Sequence, residues 1–379
     1  MEEILIYLNY VKQSLRNIKN FTKVHIVLGN ESCDIDSSVS SLVLAYFISK
    51  KISTNCFCPL AEGSLVIPVQ NVTKEDFLCR TDNCYLYKEI NLPLDLLIYK
   101  DELNMKELIS SVNLTTTLVD HHVLSEDDKF LKDTVLQIFD HRPRDIGFDW
   151  PEDKVRVTIR EVGSCSTLIA DKILSMEEDA LTKDLGFLIY AAIVFDTQAL
   201  SPKSGRAKEL DHYIVGKLEE KFQFSDDRKT LFDILWKAHN DISQLTPRQI
   251  LIKDLKIVGN VAVPGLPMLV EDFLKLDKSY QQLKSFAEEF EAPVLVLVGL
   301  DAAEGNIKRD LAVLFKNESN DVKEKLLEML INSQKYKGYD FQFKEVPCNY
   351  EDIKCYRQEN VSLSRKQVIP IIKDFVNSI

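Results

Sequence analysis

The sequence has no long apolar run and no leader-like amino terminus. No apolar stretch approaches the roughly 20 residues that a helix needs to cross a bilayer, so we expect no membrane partner. The first residues, MEEILIYLNYVKQSL, are acidic and have the spacing of an amphipathic helix, unlike the basic start and apolar core of a signal peptide. These absences predict a cytoplasmic protein.

A Cys-x-x-Cys motif is also absent. The eight cysteines are scattered without a Cys-x-x-Cys pair, and the closest two, Cys56 and Cys58, are separated by one residue. We therefore expect the thiols of this long chain, which shows no secretion signal, to stay reduced.

Positive charge is scarce as well. The chain has 47 Lys and Arg residues against 59 Asp and Glu residues, a formal net charge of −12. Broad binding to nucleic acid needs a basic field, so we expect no nucleic-acid polymer as a partner, although a small basic pocket is not excluded. The 379 residues, 45% hydrophobic and 28% charged, are typical of a folded protein with about two or three domains.

The first half of the chain alternates strand patterns with helix patterns. Strands are predicted at Val24–Leu28, Leu96–Tyr99, Thr115–Val119 and Val135–Phe139. Helices are predicted at Ser37–Lys50, Leu103–Ile109, Ser164–Leu174 and Leu181–Phe195. This alternation predicts an α/β fold whose N-terminal part is an open, mostly parallel sheet with helices on both faces.

The pattern changes after the long apolar stretch that ends at Phe195. Ser201–Lys208 is polar and predicts a loop, and Glu209–Phe224 predicts a charged helical connector. A second, smaller α/β pattern follows, with strands predicted at Val261–Val263, Val294–Val298 and Leu311–Phe315 and helices at Phe273–Phe290 and Val322–Ile331. We predict two domains, residues 1–210 and 225–379, joined by a linker at about 205–230.

Acidic side chains recur where the predicted elements of the first half end. Asp34 and Asp36 follow the first strand, Asp120 and Asp140 end two later strands, and Asp196 ends the long apolar helix. The carboxyl ends of parallel strands face one crevice, so these groups should converge there. Clustered carboxylates repel each other unless cations lie among them. Carboxylate oxygens with an imidazole suit Mg²⁺, Mn²⁺ or Co²⁺, and the pattern predicts a two-metal site that activates water.

Each of these motifs has a plainer interpretation when it is taken alone. Asp-Ile-Asp-Ser before a helix is a common helix cap, an Asp after a strand is often a turn former, and His121 and His122 could be surface or hydrogen-bonded histidines. The recurrence of Asp in the same setting, four times in one half of the chain, favours the metal site.

Taken in order, these segments carry a family signature. The chain resembles the DHH phosphoesterase superfamily, and within it the branch of prune proteins, exopolyphosphatases and manganese pyrophosphatases. The N-terminal motifs are LGNESCDIDSSVS (28–40), LVDHH (118–122), IFDHRP (138–143), VGSCSTL (162–168) and IVFD (193–196). In the second half, the segments that resemble motifs of a DHHA2 substrate domain are LIKDLK (251–256) and LSRKQVIP (363–370).

The resemblance, which covers nearly the whole chain, implies a set of metal ligands. Asp34 would bind one metal and Asp36 the other, while Asp120 would bridge the two. Asp196 would be a further, shared ligand, and His141 would bind the second metal. The resemblance therefore implies two Mn²⁺ or Mg²⁺ ions in each active site, with Co²⁺ as an alternative.

Two positions depart from the pyrophosphatase pattern. Asn30 stands where that branch has a metal-binding His, which implies a more loosely held metal and a substrate other than pyrophosphate. Arg142 stands where the third motif usually has a second His; it cannot act as a base at neutral pH, but it can fork onto phosphate oxygens. His121 and His122 keep two open roles, support of the metal ligands or contact with phosphate. All four side chains are expected near the substrate.

Further positive charge for the substrate is expected from the second half of the chain. The candidates are Lys256, Arg365 and Lys366. A basic residue at a helix start is often merely solvated, but the resemblance favours a phosphate contact, most clearly for Lys256 and Arg365. A flexible linker would let the second domain close over bound phosphate and expel water.

The residues and the resemblance together predict a metal-dependent phosphohydrolase that removes terminal phosphate from short inorganic polyphosphate. A hydroxide activated by two metals would attack the phosphorus, with Asp120 and Arg142 as catalytic residues. Two alternatives stay open: a cyclic-nucleotide phosphodiesterase that uses the same site, and a regulatory scaffold with protein partners and residual activity. The sequence has no glycine-rich motif before a His, the mark of single-strand nuclease relatives.

Overall fold

The computed structural model describes residues 1–51, 63–145, 149–151, 153–302, 306–316 and 318–378. Cys56 and Cys58 therefore lie outside the described residues. The chain divides into two compact units, Met1–Asp241 and Ile242–Ile379. Along the described residues, no helix combines the length and the hydrophobicity that crossing a membrane requires.

The first unit is built on a parallel sheet. Its strands, in chain order, are β1 (Lys23–Leu28), β2 (Leu65–Gln70), β3 (Ile98–Tyr99), β4 (Asn113–Val119), β5 (Val135–Asp140) and β6 (Arg156–Ile159). They lie in the order β3-β2-β1-β4-β5-β6, and each neighbouring pair is parallel. The expectation of an open, mostly parallel sheet in an α/β fold is confirmed.

The helices of this unit pack on the sheet and on each other. They are α1 (Glu2–Ser14), α2 (Ile35–Lys51), α3 (Lys74–Phe77), α4 (Thr81–Glu89), α5 (Met105–Ser111), α6 (Cys165–Met176), α7 (Lys183–Asp196), α8 (Glu209–Phe222) and α9 (Arg228–Asn240). Segments of 3₁₀ helix of three to nine residues lie among them. Helix α2 packs on β1, β2 and β4 and also on α6 and α7. Because α7 is apolar on every side, it needs partners all round, and α2, α6, α8 and α9 supply them.

The two strands of the first unit that the sequence did not predict, β2 and β6, have weak signals for physical reasons. Strand β2 carries Pro68, a residue that lacks the N–H of a sheet ladder and so argues against an internal strand. Strand β6 lies at the edge of the sheet and is only partly buried, so it lacks the apolar run of its neighbours. Both strands are therefore identified only by their pairing with neighbouring strands in the folded sheet.

The division between the units lies later than the expected linker at 205–230. Helices α8 and α9 fall inside this range or just after it, and both belong to the first unit. Helix α8 packs on α6 and α7 through the buried side chains Ile214, Val215 and Leu218, and α9 packs on α4 and α7. The polar segment after Phe195 is thus a loop within the first unit, as its composition predicted, and the unit continues to Asp241.

The second unit contains a mixed sheet. Its strands are β7 (Leu255–Val258), β8 (Val261–Leu266), β9 (Val294–Asp301), β10 (Lys308–Phe315), β11 (Phe343–Val346) and β12 (Ile353–Gln358). They lie in the order β11-β12-β10-β9-β8-β7, where only β8 and β9 pair in parallel. The helices are α10 (Pro247–Lys253), α11 (Val270–Phe273), α12 (Ser279–Glu289), α13 (Asn320–Ile331), α14 (Ser333–Lys337) and α15 (Arg365–Val376).

Alternate side chains of β9 enter two separate hydrophobic clusters. Leu295 and Leu297 lie with Phe273 and other side chains of α11 and α12, whereas Val296 lies with Ile371 and other side chains of α13 and α15. Since neighbouring residues of a strand point to opposite faces, helices cover both faces of this sheet. The helix predicted at 273–290 begins later, as α12 at Ser279, because residues 274–278 form a turn after the short helix α11.

A histidine is buried at the centre of the first unit. His25 on β1 is fully buried between two hydroxyls of β4, with Nδ1 at 2.9 Å from Thr115 Oγ1 and Nε2 at 3.1 Å from Thr117 Oγ1. Burial lowers the pKa of His25 to about 3. The imidazole is therefore neutral in the folded protein. It joins β1 to β4 through hydrogen bonds with two threonine hydroxyls.

We expect acid to destabilise the first unit through His25. Its folded pKa of about 3 lies below the usual value of 6.5, so its stabilisation is complete above about pH 6.5 and is lost as the pH falls toward 3. At pH 5 the loss should be about 2 kcal/mol. Urea unfolding can be followed by tryptophan fluorescence, since Trp150 and Trp236 both lie in the first unit.

The control for this expectation is His25→Gln, which keeps hydrogen-bonding groups beside the threonines but does not titrate. Between pH 7.5 and 5, the wild-type protein should lose about 2 kcal/mol more unfolding free energy than the variant. Equal losses in the two proteins would show that His25 does not set this pH dependence.

Candidate functional site

The strand order places a crevice at the centre of the first sheet. The direction in which successive strands are added to the sheet reverses between β1 and β4. Strands β2 and β3 lie on one side of β1, and β5 and β6 lie on the far side of β4. In parallel sheets, ligands bind at the carboxyl ends of the strands beside such a switch point. Asp34 and Asp36 follow β1, Asp120 follows β4, and His141 and Arg142 follow β5.

The turn from β1 into α2 depends on a close approach between Gly29 and Ser37. A Cβ atom on Gly29 would lie 2.4 Å from Ser37 Oγ, so only glycine fits here. The same hydroxyl accepts a hydrogen bond from the Asn30 backbone N–H at 2.7 Å. Asp34 Oδ1 accepts from the Ser37 N–H at 3.0 Å and so caps α2. The helix-cap interpretation of Asp34 holds, and Asp34 also lines the cavity described below.

Asp36 is held by the amino terminus of α6. Its carboxylate accepts hydrogen bonds from the backbone N–H groups of Cys165 (2.6 Å) and Ser166 (2.7 Å) and from Ser164 Oγ (2.7 Å). A helix amino terminus favours negative charge. Ser164 is the N-cap residue of α6, but its hydroxyl bonds to Asp36 and makes no capping hydrogen bond to its own helix.

Asp120 has a left-handed backbone conformation, with φ of 61°. Asp tolerates this region better than most residues, and the turn directs its carboxylate into the crevice, where it is 1% exposed. Asn30 Nδ2 donates to Asp120 Oδ2 at 2.6 Å, and Asn30 Oδ1 accepts from Ser32 and from the Cys33 N–H. Asn30 is thus occupied within the protein and orients Asp120, which differs from the expected contact with substrate.

The second oxygen of Asp120 faces the Nε2 atom of a histidine. His141 Nδ1 lies 3.1 Å from the Val162 carbonyl oxygen, which can only accept, so Nδ1 carries a proton. In the neutral ring, Nε2 then presents its lone pair to Asp120 Oδ1 at 3.2 Å and to Asp36 Oδ2 at 4.0 Å. Asp120 Oδ1 is buried without a well-oriented donor among the described residues. These three groups meet the distance requirement of a metal site, with ligand atoms within 4.8 Å of one another.

The cluster opens into a cavity of about 360 Å³ that lies wholly within the first unit. Its lining includes all five expected metal ligands and three basic side chains. These residues are Asp34, Asp36, Asp120, His141, Arg142, Glu161, Val162, Gly163, Asp196, Gly205, Arg206 and Lys208. The structure therefore brings the four predicted carboxylates together with His141 and Arg142.

Burial and mutual repulsion disfavour the charged carboxylates of this cavity. The pKa values of Asp120 and Asp196 are raised well above their usual range, first by burial and then by the neighbouring carboxylates, and that of Asp34 is raised for the same two reasons. Burial acts to lower the pKa of His141, but Asp120 and Asp36 outweigh it and raise the value to about 9. Positive charge would stabilise the ionised form of these carboxylates. A divalent cation would compete with the proton of His141 for the lone pair on Nε2.

The neighbouring histidines lie behind this cavity and do not line it. His122 Nδ1 is hydrogen-bonded to Asp140 Oδ2, while its Nε2 accepts from the Asp145 N–H at 3.0 Å and its carbonyl from Trp150 Nε1 at 2.7 Å. His121 Nδ1 lies 2.9 Å from the Val119 carbonyl oxygen. Of the two roles left open for the histidines, these contacts favour a supporting role for His122. Together with Asp140, it joins the loops that follow β4 and β5.

The basic candidates of the second unit have different surroundings. Lys256 on β7 and Lys366 on α15 are exposed. Arg365 is mostly buried, because its guanidinium pairs with the Asp254 carboxylate and donates to the backbone carbonyls of Asp254 and Val263. Arg365 thus ties the start of α15 to β7 and β8, which differs from the expected phosphate contact.

Two basic side chains that line the cavity, Arg206 and Lys208, were not predicted from the sequence. Both lie on the polar loop between α7 and α8, where composition alone signals only a turn. The Arg206 Nη1 donates to the Asp196 carbonyl oxygen at 3.2 Å, and Lys208 Nζ lies 2.9 Å from Glu161 Oε1. Their position, in the polar loop that follows an apolar helix ending in Asp196, is the one signal that could have found them.

Asp211 fixes the geometry of this loop. Its carboxylate is fully buried and accepts hydrogen bonds from the backbone N–H groups of Gly163 (2.7 Å) and Lys208 (2.7 Å) and from Thr167 Oγ1 (2.5 Å). Two lining segments of the cavity are thereby joined through one side chain. Gly163 is required in this contact, since a Cβ atom would lie 2.3 Å from Thr197 Cγ2.

Comparison with known proteins places this cavity in a family context. Residues 233–375 match the model of the DHHA2 domain. Exopolyphosphatase PRUNE1 of Bos taurus is 31% identical over 376 residues, which cover 98% of this chain and 79% of the relative. A manganese-dependent inorganic pyrophosphatase of Methanocaldococcus jannaschii is 26% identical over 239 residues, covering 61% of this chain and 66% of the relative.

A solved structure shares the fold. The crystal structure of a protein assigned as a family II inorganic pyrophosphatase from Methanococcus jannaschii superposes with a TM-score of 0.52 and 21% identity, covering 93% of this chain and 99% of the other. At that identity the likeness supports the α/β architecture alone.

We expect Asp211→Asn to destabilise the first unit by about 2–3 kcal/mol, because an amide nitrogen cannot accept one of the three buried donors. Asp233→Asn is the matched control, since Asp233 pairs with Lys229 on the exposed surface of α9, where such a pair contributes about 0.3–0.5 kcal/mol. Urea unfolding monitored by tryptophan fluorescence compares the two. Similar small effects would show that the Asp211 contacts do not hold the loop.

Proposed function

The chain belongs to the prune branch of the DHH phosphoesterase superfamily, and we propose that this phosphohydrolase releases terminal phosphate from short inorganic polyphosphate with the help of divalent metal ions. One observation carries the proposal. Asp36, Asp120 and His141 converge on one point of a cavity that Arg142 also lines. The names of the relatives support the substrate class, since Exopolyphosphatase PRUNE1 is similar over almost the whole chain.

The residues of the cavity fit divalent cations. Asp34, Asp36, Asp120, Asp196 and His141 would hold two ions, Mn²⁺ or Mg²⁺, through carboxylate oxygens and one imidazole nitrogen. The relative named as a manganese-dependent pyrophosphatase supports Mn²⁺ among these choices. Bound there, the ions would neutralise phosphoryl charge and activate water.

The protein itself contributes ligand orientation. Asp36 is aimed by the amino terminus of α6, and Asp120 is aimed by the Asn30 amide and by its left-handed turn. Because these supports are backbone donors and a buried amide, the carboxylates are held in place before substrate arrives. Such preorganisation lowers the cost of arranging charge during the reaction.

Arg142 is placed to bind the reacting phosphate. Its side chain is 53% exposed, and its Nη2 lies 3.7 Å from Asp120 Oδ1, the innermost oxygen of the cluster. A guanidinium can donate two parallel hydrogen bonds to a phosphate group. Neither Cys33 nor Cys165 is the nucleophile on this proposal, because burial raises the pKa of Cys33 to about 12 and raises that of Cys165 well above its usual value.

We expect Asp120→Asn to lower phosphate release from tripolyphosphate by at least about a thousandfold, because one ligand oxygen and one negative charge leave the cluster. Mn²⁺ binding, measured by titration calorimetry, should weaken in the same variant. Asp233→Asn removes the same charge from an exposed helix surface and should leave both quantities unchanged. Full activity of Asp120→Asn would contradict the proposed site.

Substrate choice is tested by a phosphate-release panel. The wild-type protein is assayed with Mg²⁺, Mn²⁺ and Co²⁺ against pyrophosphate, tripolyphosphate, long polyphosphate and cyclic AMP. We expect tripolyphosphate to give the highest kcat/KM, because the cavity places Arg142, Arg206 and Lys208 beside the carboxylates. Preferential turnover of cyclic AMP would favour a phosphodiesterase instead, and no turnover of any substrate would favour a scaffold.

A further inference from the structure

Arg206 is an exposed cation on the wall of the cavity. It lines the cavity together with Lys208 and Gly205, while the rest of the lining is mostly acidic. A polyanion entering this cavity must therefore find its positive partners at a few defined places, because the chain as a whole is negative and repels it at long range.

The loop that carries Arg206 is anchored at both ends. At its start, the Leu200 N–H donates to Thr197 Oγ1 at 3.1 Å, and Ser204 Oγ donates to the Thr197 carbonyl oxygen at 3.0 Å. At its end, the Lys208 N–H donates to the buried Asp211 carboxylate. The backbone around Arg206 thus holds its position relative to Asp196, and less side-chain ordering remains to be done when a ligand binds.

The guanidinium of Arg206 retains most of its hydrogen-bonding capacity. It has five N–H donors, and Nη1 uses one of them on the Asp196 carbonyl oxygen. Within the described part of the chain, no carboxylate forms an ion pair with Arg206. Lys208 differs, since its ammonium pairs with Glu161 and its charge is partly compensated there.

Arg142 and Arg206 differ in their distance from the carboxylate cluster. Arg142 Nη2 lies 3.7 Å from Asp120 Oδ1, where the reacting phosphate would lie, whereas the guanidinium of Arg206 donates to the backbone carbonyl of Asp196 and forms no ion pair with a carboxylate among the described residues. A linear polyphosphate carries negative oxygens on every phosphate, so an outer cation meets a phosphate beyond the first.

We propose that Arg206 binds the phosphate next to the one that is released, which makes a second phosphate subsite within the first unit. This inference rests on the proposed function, because it takes polyphosphate as the ligand of the cavity. It assigns discrimination between orthophosphate and longer phosphates to Arg206. The released orthophosphate needs only the metal cluster and Arg142, while a longer chain also needs Arg206.

The test compares Arg206→Gln with Lys203→Gln, which removes an exposed positive charge from the same loop but from outside the cavity lining. Calorimetry measures binding of diimidotriphosphate, a non-hydrolysable triphosphate analogue, and of orthophosphate, both with Mn²⁺ present. Arg206→Gln should weaken diimidotriphosphate binding about tenfold or more, since charge-assisted hydrogen bonds are lost. It should change orthophosphate binding less than twofold, and Lys203→Gln should change neither affinity beyond about twofold.

Kinetics give a second readout. Arg206→Gln should raise the KM for tripolyphosphate about tenfold with little change in kcat, and Arg206→Lys should restore part of the affinity. Equal affinity of Arg206→Gln and the wild type for diimidotriphosphate would overturn the subsite. Equal weakening of orthophosphate and diimidotriphosphate, or weaker Mn²⁺ binding, would also overturn it, because Arg206 would then act through Asp196.

The outcomes separate this inference from the proposed function. A wild-type protein that does not hydrolyse tripolyphosphate, but binds its analogue in an Arg206-dependent way, would refute the hydrolase proposal and keep the subsite. Hydrolysis that is insensitive to Arg206→Gln would keep the hydrolase proposal and refute the subsite.

Discussion

Repulsion among buried carboxylates is the constraint on which the first unit depends. Asp34, Asp36, Asp120 and Asp196 line one small cavity at the carboxyl ends of β1 and β4, and burial and the neighbouring carboxylates raise the pKa values of Asp34, Asp120 and Asp196. The fold offsets this repulsion locally rather than avoiding it. Backbone donors at the start of α6 hold Asp36, and the Asn30 amide holds Asp120. Negative charge at the centre of the cluster would still be stabilised by positive charge. For this reason the residues of the site suit divalent cations.

The supports around the cavity share one design. Asp211 and Asp140 are buried carboxylates that do not line the cavity, and each satisfies donors from two segments that carry cavity residues. Asp211 joins the Gly163 turn to the loop of Arg206 and Lys208, while Asp140 joins the loop after β4, through His122, to the backbone at Arg142. These hydrogen bonds to buried carboxylates hold the loops in place. The order of the site thus comes from polar contacts at the end of an otherwise apolar sheet.

Much of the first unit could be predicted from local sequence. Acidic residues follow β1 and β4 and end β5, and the convergence of the carboxylates after β1 and β4 followed from the rule for parallel sheets. The roles of Asn30, His122 and Arg365 could not be read in the same way, because each depends on which partner lies next to a polar side chain after folding. Asp120 accepts from Asn30, Asp140 pairs with His122 and Asp254 pairs with Arg365. A motif specifies the residue type at such a position and not the direction of its side chain.

The sequence by itself determined the α/β class, the acidic strand ends and the family, since these are carried by periodicity and by short ordered motifs. Tertiary structure alone decided that helices 209–222 and 228–240 belong to the first unit and that Arg206 and Lys208 line the cavity. The physical reason is the range of the interactions involved. Hydrophobic periodicity and helix caps act within a few residues of chain, whereas burial of α8 against α6, and the hydrogen bond from the Gly163 N–H to Asp211, join segments about 45 to 50 residues apart.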